Sequence, residues 1–377
     1  MDPRTGLPVV GMVGGGQLAR MTHQAAIALG QSLRILAVAL DDGAAQVAHD
    51  VRLGSPDDLS ALREFAKGCD VVTFDHEQVP AEHIRALAAE GVNLRPGAGA
   101  LRYAQDKLAM RQRLTQLGAP VPRWRPVRDS GDVVGLAAET GWPVVVKAIS
   151  GGYDGRGVWE LSPWDELPPV ELVAEERVAL VRELSAVVAR SPLGQVAAYP
   201  VVETVQRKGI CTEVIAPAPG ISDELAVAAQ YLAIDLATEL DVVGLLAVEL
   251  FETAHGLIIN ELAMRPHNSA HWTIEGARTS QFEQHLRAVL DYPLGETSLT
   301  APVVVMANVL GGSTGGISLD ERLHHLFAAD PGAKVHLYGK QSLPGRKIGH
   351  VTVLGDDLAE VRARAAAAVR WLREGHE

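Results

Sequence analysis

A chain of 377 residues, 47% hydrophobic and 21% charged, has the composition of a globular protein and exceeds what one core normally serves, so two or three domains are expected. Its net charge of −12 repels nucleic-acid backbones, and no Lys/Arg stripe interleaved with aromatics appears, so no nucleic-acid partner is expected. No apolar run reaches the ~18 residues of a membrane span, "MDPRTGLPVV" lacks the pattern of a secretory signal, and Cys69 and Cys211 stand in no paired spacing. A cytoplasmic protein with no membrane partner and no disulfide framework is expected.

The strand "PVVGMVG", a helix from Gln17 to Leu29, the strands "RILAVAL" and "DVVTF" and a helix near Ala81 to Glu90 alternate as βαβ units do. They predict a parallel-sheet α/β domain over residues 1–100, its sheet covered by helices and closed by "LRPGAGA". One helix, "YAQDKLAMRQRLTQLG", ends at Gly118 with Pro120 beyond. A helix near Asp132 to Thr140 and the strands "PVVVKAI", "GVWEL", "ELSAVVAR" and "QVAAYPVVETV" predict a small α+β module over about 126–205, within a central region of 101–300. The helix "SDELAVAAQYLAIDLATEL" and the hairpin "GLLAVELFETAHGLIINELA" follow, and "PVVVMANVL", "AKVHLYGK", "IGHVTVLG" and a terminal helix predict a small β-rich unit over 301–377.

Two glycine loops compete as phosphate sites. In the first, Gly14, Gly16 and Ala19 fit G-x-G-x-x-[G/A], with Asp41 or Asp42 about 20 residues on, where a ribose partner belongs. Either it binds a dinucleotide, or its glycines make a strand-to-helix turn that serves another anion or nothing. In the second, "AISGGYDGRGVW", Gly151, Gly152, Gly155 and Gly157 can offer successive N–H groups to a polyphosphate. The bland reading is a long hairpin turn. Lys147 at the end of the preceding strand and Arg156 within the loop favour phosphate.

The hairpin supplies the complement. A three-residue loop Ala254-His255-Gly256, with Gly256 left-handed, sets Thr253 opposite Leu257, Phe251 opposite Ile259 and Glu249 opposite Glu261; a four-residue loop sets Glu249 against Asn260 instead. Either the two carboxylates are solvated on a sheet face or, as their apolar flanks favour, they call for a cation between them, and magnesium suits carboxylates and phosphate oxygens. Transfer of a phosphoryl group from a nucleoside triphosphate is the chemistry suggested. After Glu261, "LAMRPHNSAHWT" brings Arg265, His267, Asn268 and Ser269 off the strand end together, as an anion-binding acceptor pocket requires; His271 and Trp272 read as satisfied core or surface residues instead.

With these residues assembled, the chain resembles the ATP-grasp superfamily and, within it, the N5-carboxyaminoimidazole ribonucleotide synthetases of purine biosynthesis. The motifs "GGGQLARM", "FDHEQVP", "QDKLAMRQRL", "VVVKAISGGYDGRG", "ELSAVVAR", "INELAMRPHNSAHW" and "PGRKIGH" carry the likeness in family order over nearly the whole chain. It implies an ATP-grasp fold: a Rossmann-like N-terminal domain, an ATP-grasp region with a mobile α+β lid, and a C-terminal β-rich domain. It also implies a homodimeric carbon–nitrogen ligase. ATP, bicarbonate and 5-aminoimidazole ribonucleotide would give the N5-carboxylated nucleotide, ADP and phosphate by way of carboxyphosphate.

By the same resemblance Lys107 and Lys147 contact ATP phosphates, and Gly152, Tyr153, Asp154, Gly155, Arg156, Gly157 and Val158 form the lid over them. Glu175, Glu176, Arg177 and Val178 meet adenine, Glu183 holds the ribose, and Gln206, Asn260 and Glu261 complete the ATP site. Glu249 and Glu261 carry Mg2+, with Mn2+ as a substitute. Arg265 and His267 hold bicarbonate and stabilise carboxyphosphate. Tyr153, Asp154, Arg156, Lys340 and Arg346 contact the aminoimidazole nucleotide, the last two at its phosphate; Asp154 and Lys340 also count as catalytic, and Gln17, Glu77, Asn268 and Ser269 join the substrate pocket. Departures are Gln206 where the family often has histidine, Met264 for a common proline and Ala270 for a common glycine. A formate-dependent transformylase, a biotin carboxylase and a non-catalytic NAD-binding protein are the competing readings. "RPHNSAHW" with Lys340 and Arg346 speaks against the first two, and retention of Lys147, Glu249 and Glu261 against the third.

Overall fold

The computed structural model describes residues 1–152, 155–312 and 316–375, and the counts below are of those residues. The first domain is a parallel sheet in the order β3-β2-β1-β4, formed by β1 (Val9–Val13), β2 (Ser32–Ala37), β3 (Asp50–Leu53) and β4 (Val71–Phe74), with helices α1 (Gln17–Leu29), α2 (Leu59–Ala66) and α3 (Ala81–Ala89). β1 is central and every one of its residues is buried, which is why it reads as a continuous apolar run rather than an alternating one. α1 turns Leu18, Ala19, Met21, Thr22 and Ala26 inward and ends at Gly30 in the left-handed conformation.

The single helix expected next is two: α4 (Ala98–Gln105) and α5 (Lys107–Gln116). Asp106 between them is extended, and its carboxylate accepts the Ala109 N–H at 2.8 Å. It stops one helix and caps the next, which an apolar-periodicity reading passes over.

The lid is smaller than the expected 126–205. Its four-stranded sheet, in the order β5-β8-β6-β7, consists of β5 (Trp124–Val127), β6 (Val144–Ala148), β7 (Val158–Leu161) and β8 (Leu172–Glu176), covered by α6 (Ser130–Thr140). The segments "ELSAVVAR" and "QVAAYPVVETV" instead enter a nine-stranded sheet as β9 (Leu180–Arg190), β10 (Val196–Ala198) and β11 (Val202–Arg207). That sheet continues through β12 (Ile210–Ala216), then α7 (Asp223–Glu239), then the hairpin β13 (Gly244–Thr253) and β14 (Gly256–Ala263). Short α8 (Thr273–Gly276) and α9 (Gln281–Leu290) lead to β15 (Val303–Leu310), α10 (Leu319–Ala329), β16 (Lys334–Leu337), β17 (Lys347–Gly355) and α11 (Leu358–Glu374).

The closing unit at 301–377 has no separate sheet. β15 pairs antiparallel with β12, giving the order β14-β13-β9-β11-β12-β15-β17-β16 with β10 on β9. An unpaired β12 edge would expose a row of backbone groups, and β15 takes them up. The first domain and the large sheet share one core, in which Val13, Phe74 and Leu101 join Leu184, Leu250, Ile259 and Met264. This common core holds the strand ends of both sheets around one cleft.

Candidate active site

A cleft of about 2110 Å3 opens between the first domain, the lid and the large sheet, and it is lined by residues from all of them. At its floor lies the β13–β14 hairpin. Thr253 pairs with Gly256, so the turn is the two residues Ala254-His255, one shorter than expected, with Gly256 at φ +120. Phe251 therefore faces Ile258, not Ile259, and Leu250 faces Ile259. The register then shifts by one, and Glu249 does face Glu261.

The extra residue is Asn260, a β-bulge on β14. In a regular strand Asn260 and Glu261 would point to opposite faces. Here both border the cleft with Glu249: the Asn260 amide nitrogen donates to Glu249 Oε2 at 3.4 Å, and its carbonyl oxygen accepts from Lys147 Nζ at 2.9 Å. The predicted pairing is thus reached by a shorter turn plus a bulge.

Lysines reach this floor from two sides. Lys107, the first residue of α5, donates its backbone N–H to Ile149 O at 2.9 Å and sets its ammonium on the Glu261 carboxylate. Lys147, on β6, pairs with Glu175 Oε2 at 2.8 Å, and Glu175 Oε1 accepts from Arg111 Nε at 2.7 Å. Arg111, one helical turn after Lys107, is fully buried; sequence reading passed it over although the i, i+4 spacing places it on the same helix face. Burial pushes the Lys147 ammonium down, the Glu175 and Glu261 carboxylates opposing that, with Arg111 adding to it. Burial works to raise Glu175, but Lys147 and then Arg111 overcome it and hold it at about 2. Burial, then the Glu261 and Glu183 charges, push Glu249 up to about 7, whereas in Glu261 burial is overcome by the Lys107 ammonium together with Lys147 and Arg111, and the carboxyl is lowered.

Glu249 and Glu261 thus form a like-charge pair of hard oxygen donors that a divalent cation would relieve. Among the described residues no group of three or more His, Cys, Asp and Glu side chains is arranged to hold a metal. A cation here would rest on these two carboxylates and draw its remaining oxygens from phosphate and water, the usual habit of Mg2+.

The far wall carries the acceptor candidates. Arg265 Nε donates to Glu77 Oε2 at 2.6 Å, while the buried Glu77 Oε1 has no hydrogen-bond partner among the described residues. Lys340 Nζ donates to Gln17 Oε1 at 2.6 Å, and Arg346 lines the cleft beside it. His267 lies between the walls, its Nε2 3.5 Å from Glu249 Oε1 and its Nδ1 2.9 Å from Ser269 Oγ. Burial first, and then Arg265, push its imidazole down to about 3, so it is neutral. Ser269 is buried with its hydroxyl shared between His267 and Ser185 at 2.7 Å, and Asn268 exchanges amide hydrogen bonds with Asn308 at 3.0 and 2.8 Å. His271 and Trp272 are core residues, the structure deciding between the core and surface readings.

In the lid, Gly152, Gly155, Arg156 and Val158 border the cleft, as do Glu176, Arg177, Val178, Glu183 and Gln206 across from them. Glu175 borders it too, but its carboxylate is spent on Lys147 and Arg111. Gly157 does not line the cleft: its carbonyl accepts the Ala148 N–H at 2.8 Å and closes the β6–β7 hairpin. Tyr153 and Asp154 lie outside the described residues. Lys347, unforeseen in the sequence, also lines the cleft.

The opening loop is closed by the protein itself. Asp75, at the end of β4, accepts the Gly16 N–H at 2.6 Å and the Ala19 N–H at 2.9 Å, occupying the helix N-terminus where a phosphate would sit. A Cβ on Gly16 would meet Asp75 Oδ2 at 2.4 Å. Asp42, a candidate ribose partner, instead caps its own turn by accepting from the Val38 and Ala39 N–H groups.

Comparisons with known proteins agree with this geometry. Residues 7–105 match the ribonucleotide synthetase preATP-grasp domain, residues 112–282 the ATP-grasp domain and residues 304–364 the phosphoribosylaminoimidazole carboxylase C-terminal domain. The N5-carboxyaminoimidazole ribonucleotide synthase of Mycobacterium tuberculosis (strain H37Rv) is 60% identical over 379 residues, covering 98% of this chain and 88% of that protein. The enzyme of the same name from Corynebacterium ammoniagenes is 50% identical, covering 97% and 92%. The crystal structure of N5-carboxyaminoimidazole ribonucleotide synthetase from Thermus thermophilus superposes with a TM-score of 0.86 at 38% identity, covering 97% of this chain and 98% of that one. An Aspergillus clavatus N5-carboxyaminoimidazole synthase in complex with ADP and 5-aminoimidazole ribonucleotide gives 0.86 at 32% identity, covering 97% and 98%. With the ATP-grasp fold and identity on this scale over its whole length, the chain belongs to the N5-carboxyaminoimidazole ribonucleotide synthase family of ATP-grasp ligases.

Proposed function

We propose that the chain joins bicarbonate to 5-aminoimidazole ribonucleotide at the expense of ATP, giving N5-carboxyaminoimidazole ribonucleotide, ADP and phosphate. The observation that carries this reading is the single cleft that sets Glu249, Asn260, Glu261, Lys107 and Lys147 on its floor and Gln17, Glu77, Arg265, Lys340 and Arg346 on its far wall, with His267 between. The Aspergillus relative, crystallised with ADP and the aminoimidazole nucleotide, supports the same two occupants here.

In this scheme ATP lies between the lid and the large sheet. Gly152, Gly155 and Arg156 close over its phosphates, Glu176 to Val178 meet the base, Glu183 the ribose, and Gln206 borders the nucleotide. Mg2+ held by Glu249 and Glu261 would neutralise phosphate charge and orient the γ-phosphoryl group. A bicarbonate oxygen takes that group, forming carboxyphosphate and ADP. The exocyclic amine nitrogen then bonds the carboxyl carbon, or the CO2 released from it, as the carbon–oxygen bond to phosphate breaks and the amine gives up a proton.

Arg265 supplies positive charge where carboxyphosphate charge develops. Burial would lower its guanidinium, and Glu77, with Asp75 and Glu261, more than offsets that. His267, neutral, serves as a hydrogen-bonding group rather than a cation, oriented by Ser269. Glu77, which lines the cleft and holds Arg265, keeps one carboxylate oxygen without a partner among the described residues and serves the acceptor end, and Lys340 and Arg346 meet the nucleotide phosphate. Contacts from Tyr153 and Asp154 rest on the family resemblance alone. A cytoplasmic homodimer belongs to the same proposal, to be checked by fractionation and sedimentation velocity.

The test is ADP release with each substrate omitted in turn. Turnover that requires both the aminoimidazole nucleotide and bicarbonate is expected; turnover that needs neither, or needs formate, overturns the assignment.

A further inference from the structure

We propose that Arg111 is a positioning residue for phosphoryl transfer: its guanidinium holds the bulge at Asn260, and so sets where Asn260 and Glu261 stand relative to Glu249. This rests on the proposed function, since it concerns the metal and phosphate end of that site. Arg111 has no exposed surface, so it acts through its neighbours and not on a ligand.

Its donors are divided among three acceptors. Nη1 donates to Ile259 O at 3.2 Å, just before the bulge, and Nη2 to Asn260 O, the extra residue, at 2.7 Å; Nε donates to Glu175 Oε1 at 2.7 Å. A bulge interrupts the ladder and leaves backbone groups in need of other partners. Arg111 supplies them at the point where β14 departs from its register.

The grip on Asn260 is double. Glu175, which balances the guanidinium charge, also holds Lys147 at 2.8 Å, and Lys147 donates to Asn260 Oδ1 at 2.9 Å. Backbone and side chain of the bulge residue are thus tied to one buried ion triad. α5 completes the clamp, because Lys107, four residues earlier, seats its ammonium on Glu261. A lysine at 111 would keep the charge but could not span a carboxylate and two carbonyls in one plane.

The test compares wild type and Arg111→Lys. Hydrogen exchange of the metal-free protein reads the bulge, and the Mg2+ concentration for half-maximal ADP release reads its consequence. Faster exchange over residues 259–262, a Mg2+ requirement raised about tenfold as for other residues that orient metal ligands, a lower kcat and an unchanged KM for the aminoimidazole nucleotide are expected. A folded variant with wild-type exchange at the bulge and wild-type Mg2+ dependence overturns the proposal, even if its Tm falls. Should R111K fail to fold, the R111Q/E175Q pair strands no guanidinium or carboxylate charge at this contact and is compared with E175Q alone; the same two shifts are expected, and their absence overturns it. If wild type releases no ADP with all substrates present, the functional reading fails, and the exchange comparison still decides the role of Arg111.

Discussion

The two glycine loops look alike in the sequence and behave oppositely in the structure. At the first, Gly16 and Ala19 direct their N–H groups to Asp75, and the glycines are needed because that carboxylate presses against them. At the second, Gly152, Gly155 and Arg156 border the cleft facing Lys147 and the acidic hairpin. A strand-to-helix turn binds a phosphate only if no internal anion reaches it first. The stronger fingerprint is therefore structural, and the loop without a named nucleotide pattern is the one that the proposed function assigns to ATP.

Substitutions on each side can break or sharpen that contrast. The largest effect is expected for Glu261→Gln, which removes one of two facing carboxylates and should abolish ATP turnover in steady-state assays while leaving the fold intact. Next, Lys340→Ala should raise the KM for the aminoimidazole nucleotide about tenfold or more with a smaller change in the KM for ATP; equal loss of kcat in both variants would argue against separate ATP and acceptor ends. Gly155→Ala forces a side chain into a φ of +76, with Gly209 Cα 3.0 Å from the new Cβ. Its expected signature is a several-fold fall in kcat/KM for ATP with little change in Tm.

Gly16→Ala should do the reverse. Pushing Asp75 away from the α1 N-terminus is expected to cost about 2 kcal/mol of stability by urea unfolding, and calorimetry should find no NAD binding before or after. The last effect separates the regions by pH. His285 on α9 bonds Thr73 Oγ1 on β4 at 2.8 Å beneath the first loop, and burial pushes it down to about 4. The unfolded chain takes up that proton near pH ~6.5 and the folded chain only near 4, so stability should fall as pH drops through this window. A His285→Gln variant should show a shallower slope in its urea midpoint.

Much of the fold was legible because it follows from local rules. The buried run "VVGMV", the α1 pattern and the long hairpin declare their periods directly. The missed break at Asp106 was legible in principle, as a capping residue ahead of Lys107 and Arg111. What could not be read is which sheet a strand joins. "ELSAVVAR" and "PVVVMANVL" fit a small module or a large sheet equally well by alternation, and only their partners β13 and β12 decide. The facing of Glu249 and Glu261 was predicted with a three-residue loop, but a two-residue turn and the Asn260 bulge produce it. A bulge needs support from elsewhere in the chain, here Arg111, and no local pattern announces such support.

By itself the sequence determined the chemistry at hand: two carboxylates on a hairpin, two lysines, a second glycine loop and an arginine–histidine run in the order of one ligase family. Only the tertiary structure decided which glycine loop stays open, because the competing anion, Asp75, is 59 residues from Gly16 along the chain. It also decided that Glu175 balances buried cations, that burial and Arg265 push the His267 imidazole down, and that Asn260 and Glu261 both border the cleft. Each of these depends on burial and on charges brought together from distant segments, quantities that do not exist until the chain has folded.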